Sequence, residues 1–197
     1  MDCLKIAMVS PYDFTWPGGV TAHVSQLSNE LSRFGHEVQV LAPHSPSRHG
    51  DNSTAFVPLG RSVPVPSGGS VARVSLSWWL YRRIRSLLER ESFDIIHLHE
   101  PLAPVLPLCV LEASNAVNIG TFHAFYNRQH LYRLSHPIIK RWHDRLHGRV
   151  LVAHQHHGPG EAGLAIAEIA VRLRLIVRAA VLFLTLSEGR WSKQQGQ

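Results

Sequence analysis

The chain has 197 residues, 45% of them hydrophobic and 17% charged, with 20 Lys and Arg against 14 Asp and Glu. That length and apolar content suit one well-buried domain and exclude a disordered, collagen-like or coiled-coil chain. The net charge of +6 favours anionic partners, while two cysteines, Cys3 and Cys109, are too few for a disulfide framework or a Cys-rich metal centre and point to a reducing compartment.

Leu4–Ser10 is short and mostly apolar and ends at Pro11, as expected of a strand buried on both faces of a parallel sheet. The apolar run there is too short, and Asp2 and Lys5 too close, for a signal peptide, so a cytoplasmic chain is expected. After Gly18-Gly19, the residues Val20, Val24, Leu27, Leu31 and Phe34 recur at helical spacing up to a stop at Gly35. Val38–Ala42 reads as a second strand, which completes a right-handed βαβ unit. Residues 43–75 are rich in Pro, Ser, Gly and His and read mostly as loop, with a short β-like piece at Ala55–Leu59. Ser75–Ser92 reads as a helix, Asp94–His99 as a strand, Pro104–Ser114 as a helix, Val117–Phe122 as a strand and Ser135–His147 as a helix. The alternation implies an α/β fold, a Rossmann-like doubly wound parallel sheet, over residues 1–150, followed by an irregular tail. Ligands of such sheets collect at the carboxyl ends of strands, here the loops after Ser10, His99 and Phe122. No run reaches the roughly 20 apolar residues of a membrane span; the nearest, Leu164–Ser187, carries Glu168, Arg172, Arg174 and Arg178.

Three features can carry chemistry. The Gly18-Gly19 pair at a helix start either lets backbone N–H groups approach an anion or makes a tight turn. His123, just past a buried strand, is either functional or a hydrogen-bonded histidine at a strand end. On the 75–92 helix, Leu76, Leu80, Ile84 and Leu87 share a core face with Trp79 and Leu88 at its borders. The other face brings together Trp78, Arg82 and Arg85 with Tyr81 nearby, while Arg83 and Arg90 border the apolar stripe. Aromatics among arginines suit an anionic membrane surface, and an ordinary solvated basic face reads the same way. His97 and His99 face one side of their strand, but a metal site needs a third ligand and none is spaced for it. Hydrogen-bonded structural histidines and no metal are expected, and His154-Gln-His-His157 stands in a Gly-rich segment with no partner set. No RNP, helix-turn-helix or zinc motif accompanies the basic residues, so nucleic acid is not the expected partner.

Met8-Val-Ser-Pro-Tyr-Asp-Phe14 with Pro17-Gly-Gly-Val20, Leu31–Pro43, Gly69–Arg73, Phe93–Pro101 and Thr121-Phe-His123 together resemble the N-terminal, acceptor-binding domain of the family 4 glycosyltransferases of GT-B fold, most closely the phosphatidylinositol mannosyltransferases. The resemblance covers about residues 4–150. It implies retaining transfer of a sugar, mannose for the nearest resemblance, from a nucleotide-sugar such as GDP-mannose to a phosphatidylinositol-type lipid, with no further cofactor and no essential metal. By the same resemblance Gly18 and Gly19 lie against the donor diphosphate and the acceptor, and His123 beside the transferred sugar. Tyr12 lies over an inositol ring, Arg73 and Arg128 hold the lipid phosphate, and Trp78, Arg82, Arg83 and Arg85 dock on the inner face of the plasma membrane as a peripheral protein.

The resemblance fades near residue 152. Residues 151–197 read as an atypical tail, as from a truncated or frameshifted gene, in which 181–197 echo the start of the donor domain: Arg190 matches a diphosphate-binding arginine and Gln195 replaces a lysine. The family's carboxylate pair that reads the nucleotide-sugar has no counterpart. An incomplete enzyme and a catalytically inactive lipid- or phosphate-binding module are therefore both open, and no oligomeric state is read from the sequence.

Overall fold

In a computed structural model the protein is described for residues 3–45, 56–67, 70–123 and 140–152. They form β1 (Lys5–Val9), α1 (Gly19–Arg33), β2 (Glu37–Ala42), β3 (Phe56–Pro58), β4 (Val63–Ser67), β5 (Ser70–Val74), α2 (Leu80–Glu91), β6 (Ile95–His99), α3 (Leu106–Ala113), β7 (Val117–Phe122) and β8 (Gly148–Leu151). Six strands make one sheet in the order β3-β2-β1-β6-β7-β8, with every neighbouring pair parallel. The chain thus starts near the middle, winds outward to β3, and returns to continue on the other side of β1. This is the doubly wound order.

Local sequence explains most of these elements. Strands β1 and β6 are buried on both faces because helices cover both sides of a parallel sheet, and Ile6–Val9 and Ile95–His99 are accordingly buried throughout. Helix α1 buries Val24, Leu27 and Leu31. It ends as the glycine signal predicts: Gly35, at φ +86°, donates its N–H to Ser32 O, and His36 donates to Leu31 O, the paired bonds of a Schellman motif. Helices α2 and α3 cover the opposite face, where Leu80, Ile84, Leu87, Leu106, Cys109 and Val110 join Ala7, Val9, Ile96 and Leu98 in one core. The Cys109 thiol is buried there, and desolvation pushes its pKa up to about 11, consistent with a packing role.

Several expectations fail. Within the described part of 43–75 the loop reading misses a hairpin: Val63–Ser67 and Ser70–Val74 pair antiparallel outside the main sheet. Pro64 and Pro66 hide it from a strand reading because they donate no ladder N–H, which an isolated two-stranded ribbon tolerates. The expected helix at Ser75–Ser92 begins only at Leu80. Leu76 is 46% exposed and Trp79 92% exposed, so neither joins the core stripe, whereas the half-buried Tyr81 packs against it. Helices α3 and the 135–147 segment are also shorter than expected: α3 starts at Leu106, and of the latter only residues 140–143 are helical within the described range. Among the described residues no helix is long and apolar enough to cross a membrane.

Gly60 joins β3 to the hairpin at φ +80°, and a Cβ there would lie 2.6 Å from Leu80 Cδ1 and 2.8 Å from Ser75 Oγ. Gly60→Ala is expected to cost about 2–4 kcal/mol, from left-handed backbone strain and overpacking together. At Gly19 an added Cβ meets nothing within 4 Å, so Gly19→Ala should leave stability within about 0.5 kcal/mol of the native value. Urea denaturation of the two variants checks the contrast.

Candidate functional site

The topology places a crevice where β1 and β6 lie side by side and the chain leaves them in opposite directions. Ile96 and Leu98 face the α2–α3 core, and strand alternation therefore turns His97 and His99 toward the side of α1. Helix α1 brings His23 to the same place, one turn beyond Gly19. His123 follows the neighbouring strand β7.

These histidines form one cluster. His97 Nε2 lies 2.7 Å from Thr121 Oγ1, and His99 Nδ1 lies 2.8 Å from His123 Nε2. The rings of His97 and His99 are 4.5 Å apart, and the His23 ring stands edge-on to His99 at 5.5 Å and to His123 at 5.0 Å. The His123 backbone N–H donates to Glu100 Oε1 at 2.6 Å. Glu100 itself holds φ +50° and Val105 φ +68°, sparsely populated backbone of the kind that gathers at functional sites. Burial, with lesser contributions from the neighbouring His23 and His123, drives the His97 pKa down to about 3. Burial also holds His99 well below its ordinary value, with His97, His123 and His23 adding to the effect. Both rings are neutral at physiological pH.

The expectation that no third ligand stands near His99 needs correction. Ligand atoms of His23, His99 and His123 all lie within 4.8 Å of one another. Imidazoles of this kind suit a borderline divalent ion. Such an ion would have to displace the hydrogen that His99 and His123 share at 2.8 Å.

A second group of residues fixes the loop after β1. Asp13 is 1% exposed, and its carboxylate accepts hydrogen bonds from Thr15 N–H (3.0 Å), the Thr15 hydroxyl (2.6 Å), the Ser62 hydroxyl (2.5 Å) and the Ser45 hydroxyl. Desolvation acts to raise its pKa, but those bonds outweigh it and hold the group below the usual carboxylate range. Asp13 N–H donates to Arg73 O at 2.8 Å, Tyr12 bridges to Val74, and the Arg73 guanidinium lies 3.9 Å over the ring of Trp16. Tyr12, Arg73 and the glycine pair are thereby held on one short loop and the hairpin beside it. Asp13→Asn is expected to cost about 2 kcal/mol at pH 7, the worth of hydrogen bonds to a charged group. Because the folded carboxyl is the stronger acid, this contribution exists above the ordinary value of 3.8 and fades as the pH falls below it. Denaturation curves at pH 7 and pH 3 should show the native–variant difference shrinking in acid.

The glycine pair is not a tight turn. Gly18 is the N-cap of α1 with an extended φ of −168°, open to any residue, and Gly19 already begins the helix. No side chain caps this end, and no acidic residue occupies its first turn, so the N-terminal N–H groups and the helix dipole face outward past two exposed residues without side chains. His123 lies one helical turn away through His23. The structure thus puts Tyr12, Gly18, Gly19 and His123 on the segments that follow the carboxyl ends of β1 and β7, with Arg73 bonded to the first of these segments. His23, His99, Glu100, Asp13 and Trp16 join them, and sequence reasoning had given none of these five a role at the site. For His23 the available signal was its position one turn past Gly19.

Arg82, Arg83 and Arg85 are exposed on α2, with Arg85 paired to Glu89 at 2.8 Å. Trp78 is 60% exposed but precedes the helix, correcting its assignment to a helical face. Arg128, Arg190 and the rest of the tail from residue 153 lie outside the described residues.

A profile of the family described as Glycosyltransferase Family 4 matches residues 17–157. The chain is 37% identical over 150 residues to the phosphatidyl-myo-inositol mannosyltransferase of Mycolicibacterium smegmatis, covering 76% of this chain and 38% of that protein. It is 32% identical over 167 residues to the protein of that name from Propionibacterium freudenreichii, covering 80% and 44%. The chain therefore spans about two fifths of the length of these relatives. A solved sucrose-phosphate synthase from Thermosynechococcus elongatus covers 89% of the chain at 13% identity, with a TM-score of 0.47.

Proposed function

The chain belongs to glycosyltransferase family 4, and from that premise we propose that its sheet domain is the acceptor-binding half of a retaining sugar transferase acting on phospholipid. Mannose from GDP-mannose is the proposed donor group and a phosphatidylinositol-type lipid the proposed acceptor, at the inner face of the plasma membrane and with no essential metal. The observation that carries this reading is the uncapped N-terminus of α1, whose first turn leads to the His23–His99–His123 cluster at the carboxyl end of the sheet, with Arg73 bonded to the loop that leads into α1. The α1 N–H groups suit a phosphate or the charge that develops on a leaving diphosphate. Arg73, held over Trp16 by a cation–π contact, offers a planar fork to the lipid phosphate, and Tyr12 offers a ring face to the inositol. Arg128 and Arg190 are proposed as further phosphate contacts. His123 is proposed to lie beside the transferred sugar.

The surface that would meet the lipid adjoins this site along the chain. Five residues after Arg73 stands the exposed Trp78, followed by the exposed Arg82, Arg83 and Arg85, a combination suited to an anionic interface. Each basic residue near such a surface contributes about 1 kcal/mol. Discounting Arg85 for its exposed pair with Glu89, replacement of all three by Ser should weaken binding to phosphatidylinositol-containing vesicles by about 2 kcal/mol, or roughly 30-fold. Vesicle co-sedimentation checks this, and equal binding of native and variant protein would remove the membrane reading.

A further inference from the structure

We propose that His99 is a positioning residue that holds His123 as its neutral Nδ1–H tautomer, so that the His123 Nε2 lone pair is engaged by His99 and His123 does not meet the sugar as a base. The placement of the sugar rests on the function proposed above; the tautomer rests on the geometry of the cluster. His99 Nδ1 and His123 Nε2 are 2.8 Å apart, and the two rings are tilted by only 23° with centroids 5.1 Å apart. That is the edge-to-edge arrangement in which one N–H points along the other ring's in-plane lone pair. A single hydrogen lies between the two nitrogens, and it belongs to one ring or the other.

If His123 Nε2 carried it, His99 Nδ1 would be the acceptor and the hydrogen of His99 would sit on Nε2. The His99 side chain has no exposure to solvent, and its Nε2 is buried with no hydrogen-bond partner among the described residues. A buried N–H without an acceptor forfeits its hydration outright, and orphaned donors are the rarer kind of unsatisfied buried group. A cationic His123 meets the same objection, because it too would donate from Nε2. A cationic His99 meets it as well, because it would carry a hydrogen on its own buried Nε2. The remaining assignment has His99 donating from Nδ1 to His123 Nε2 and leaves a lone pair at the buried His99 Nε2. His123 then carries its hydrogen on Nδ1.

Two contacts keep the His123 ring in that orientation. Its backbone N–H is anchored on Glu100 Oε1, and the His23 ring stands edge-on at 5.0 Å. With Nε2 accepting from His99, the ring's one lone pair is engaged, and abstraction of a proton through Nε2 is closed to it.

The test is imidazole 15N–13C NMR of the whole 197-residue chain labelled at histidine, at pH 7.5, with His123 assigned by the signals lost in His123→Asn. The expected spectrum has His123 Nε2 in the pyridine-type range and Nδ1 in the pyrrole-type range. His99→Phe, which removes the donor, should shift His123 toward the Nε2–H form. His99→Asn, which can donate from an amide near the Nδ1 position, should restore the native pattern, a rescue that a merely space-filling role would not produce. An Nε2–H or cationic His123 in the native chain overturns the proposal, and that spectrum alone decides it even if His99→Phe fails to fold. An unchanged tautomer in a folded His99→Phe overturns it as well. Sugar transfer is not read in this experiment, so a failure of the proposed function would leave its outcome intact.

Discussion

Lowering the pH from 7.5 to 5 is expected to strip about 2 kcal/mol of folding stability through His97 alone, with His99 adding a loss of the same sign. His97 has a folded pKa of about 3 against an ordinary value of 6.5, because burial penalises its charged form. Between those values the unfolded chain binds a proton that the folded chain refuses, so stability falls by about 1.4 kcal/mol per pH unit below 6.5. The contribution is fully retained above pH 6.5, and the loss levels off only near pH 3. Against a typical total of about 5–15 kcal/mol this is a large share. Thermal unfolding measured from pH 7.5 to 5 should show a steep fall in Tm. His97→Gln should unfold at a lower temperature at neutral pH, since it loses the Thr121 contact, yet show a shallower pH slope. Parallel slopes in the two proteins would mean that His97 takes up its proton in the folded state too.

Joining residues 1–150 to the complete donor domain of a related enzyme should yield a protein that transfers sugar to a phosphatidylinositol acceptor, with the 197-residue chain as an inactive baseline. Holding donor and acceptor together in the right geometry contributes up to about 7–11 kcal/mol to such a reaction, and the sheet domain supplies only one wall of that cleft. Within the chimera, His123→Ala should lower kcat by about 100-fold or more with little change in acceptor KM, the usual effect of removing one positioned polar group from a site of developing charge. Arg73→Ala should instead raise acceptor KM by roughly 10- to 100-fold, the equivalent of one charge-assisted phosphate contact. Gly19→Val should damage both parameters without unfolding the domain, since an added Cβ meets nothing of the protein itself there. A chimera that binds the lipid but stays silent would favour the inactive binding module, and an active chimera indifferent to His123→Ala would return that residue to a structural role.

The sequence by itself determined the elements whose signal is local. The helical spacing from Val20 to Phe34, the glycine stop at Gly35 and the apolar runs of β1, β6 and β7 each depend on residues within a few turns of one another, so periodicity and capping chemistry sufficed. The same signals picked out the strand ends and, with the family resemblance, His123, Gly18, Gly19, Arg73 and Tyr12. The start of α2 was not legible, because Leu76, Trp78 and Trp79 continue an apolar-aromatic pattern that the backbone does not follow. The hairpin was masked by Pro64 and Pro66. Only the tertiary structure decided what surrounds the site residues. His99 and His123 are 24 positions apart and Asp13 and Ser62 are 49 apart, and such pairs meet because parallel strands return to the same edge after each crossover. His23 shows the limit most plainly: on a lone helix it is one more polar residue, and it becomes part of a histidine cluster only when α1 packs beside β6 and β7 and their carboxyl ends bring three imidazoles together.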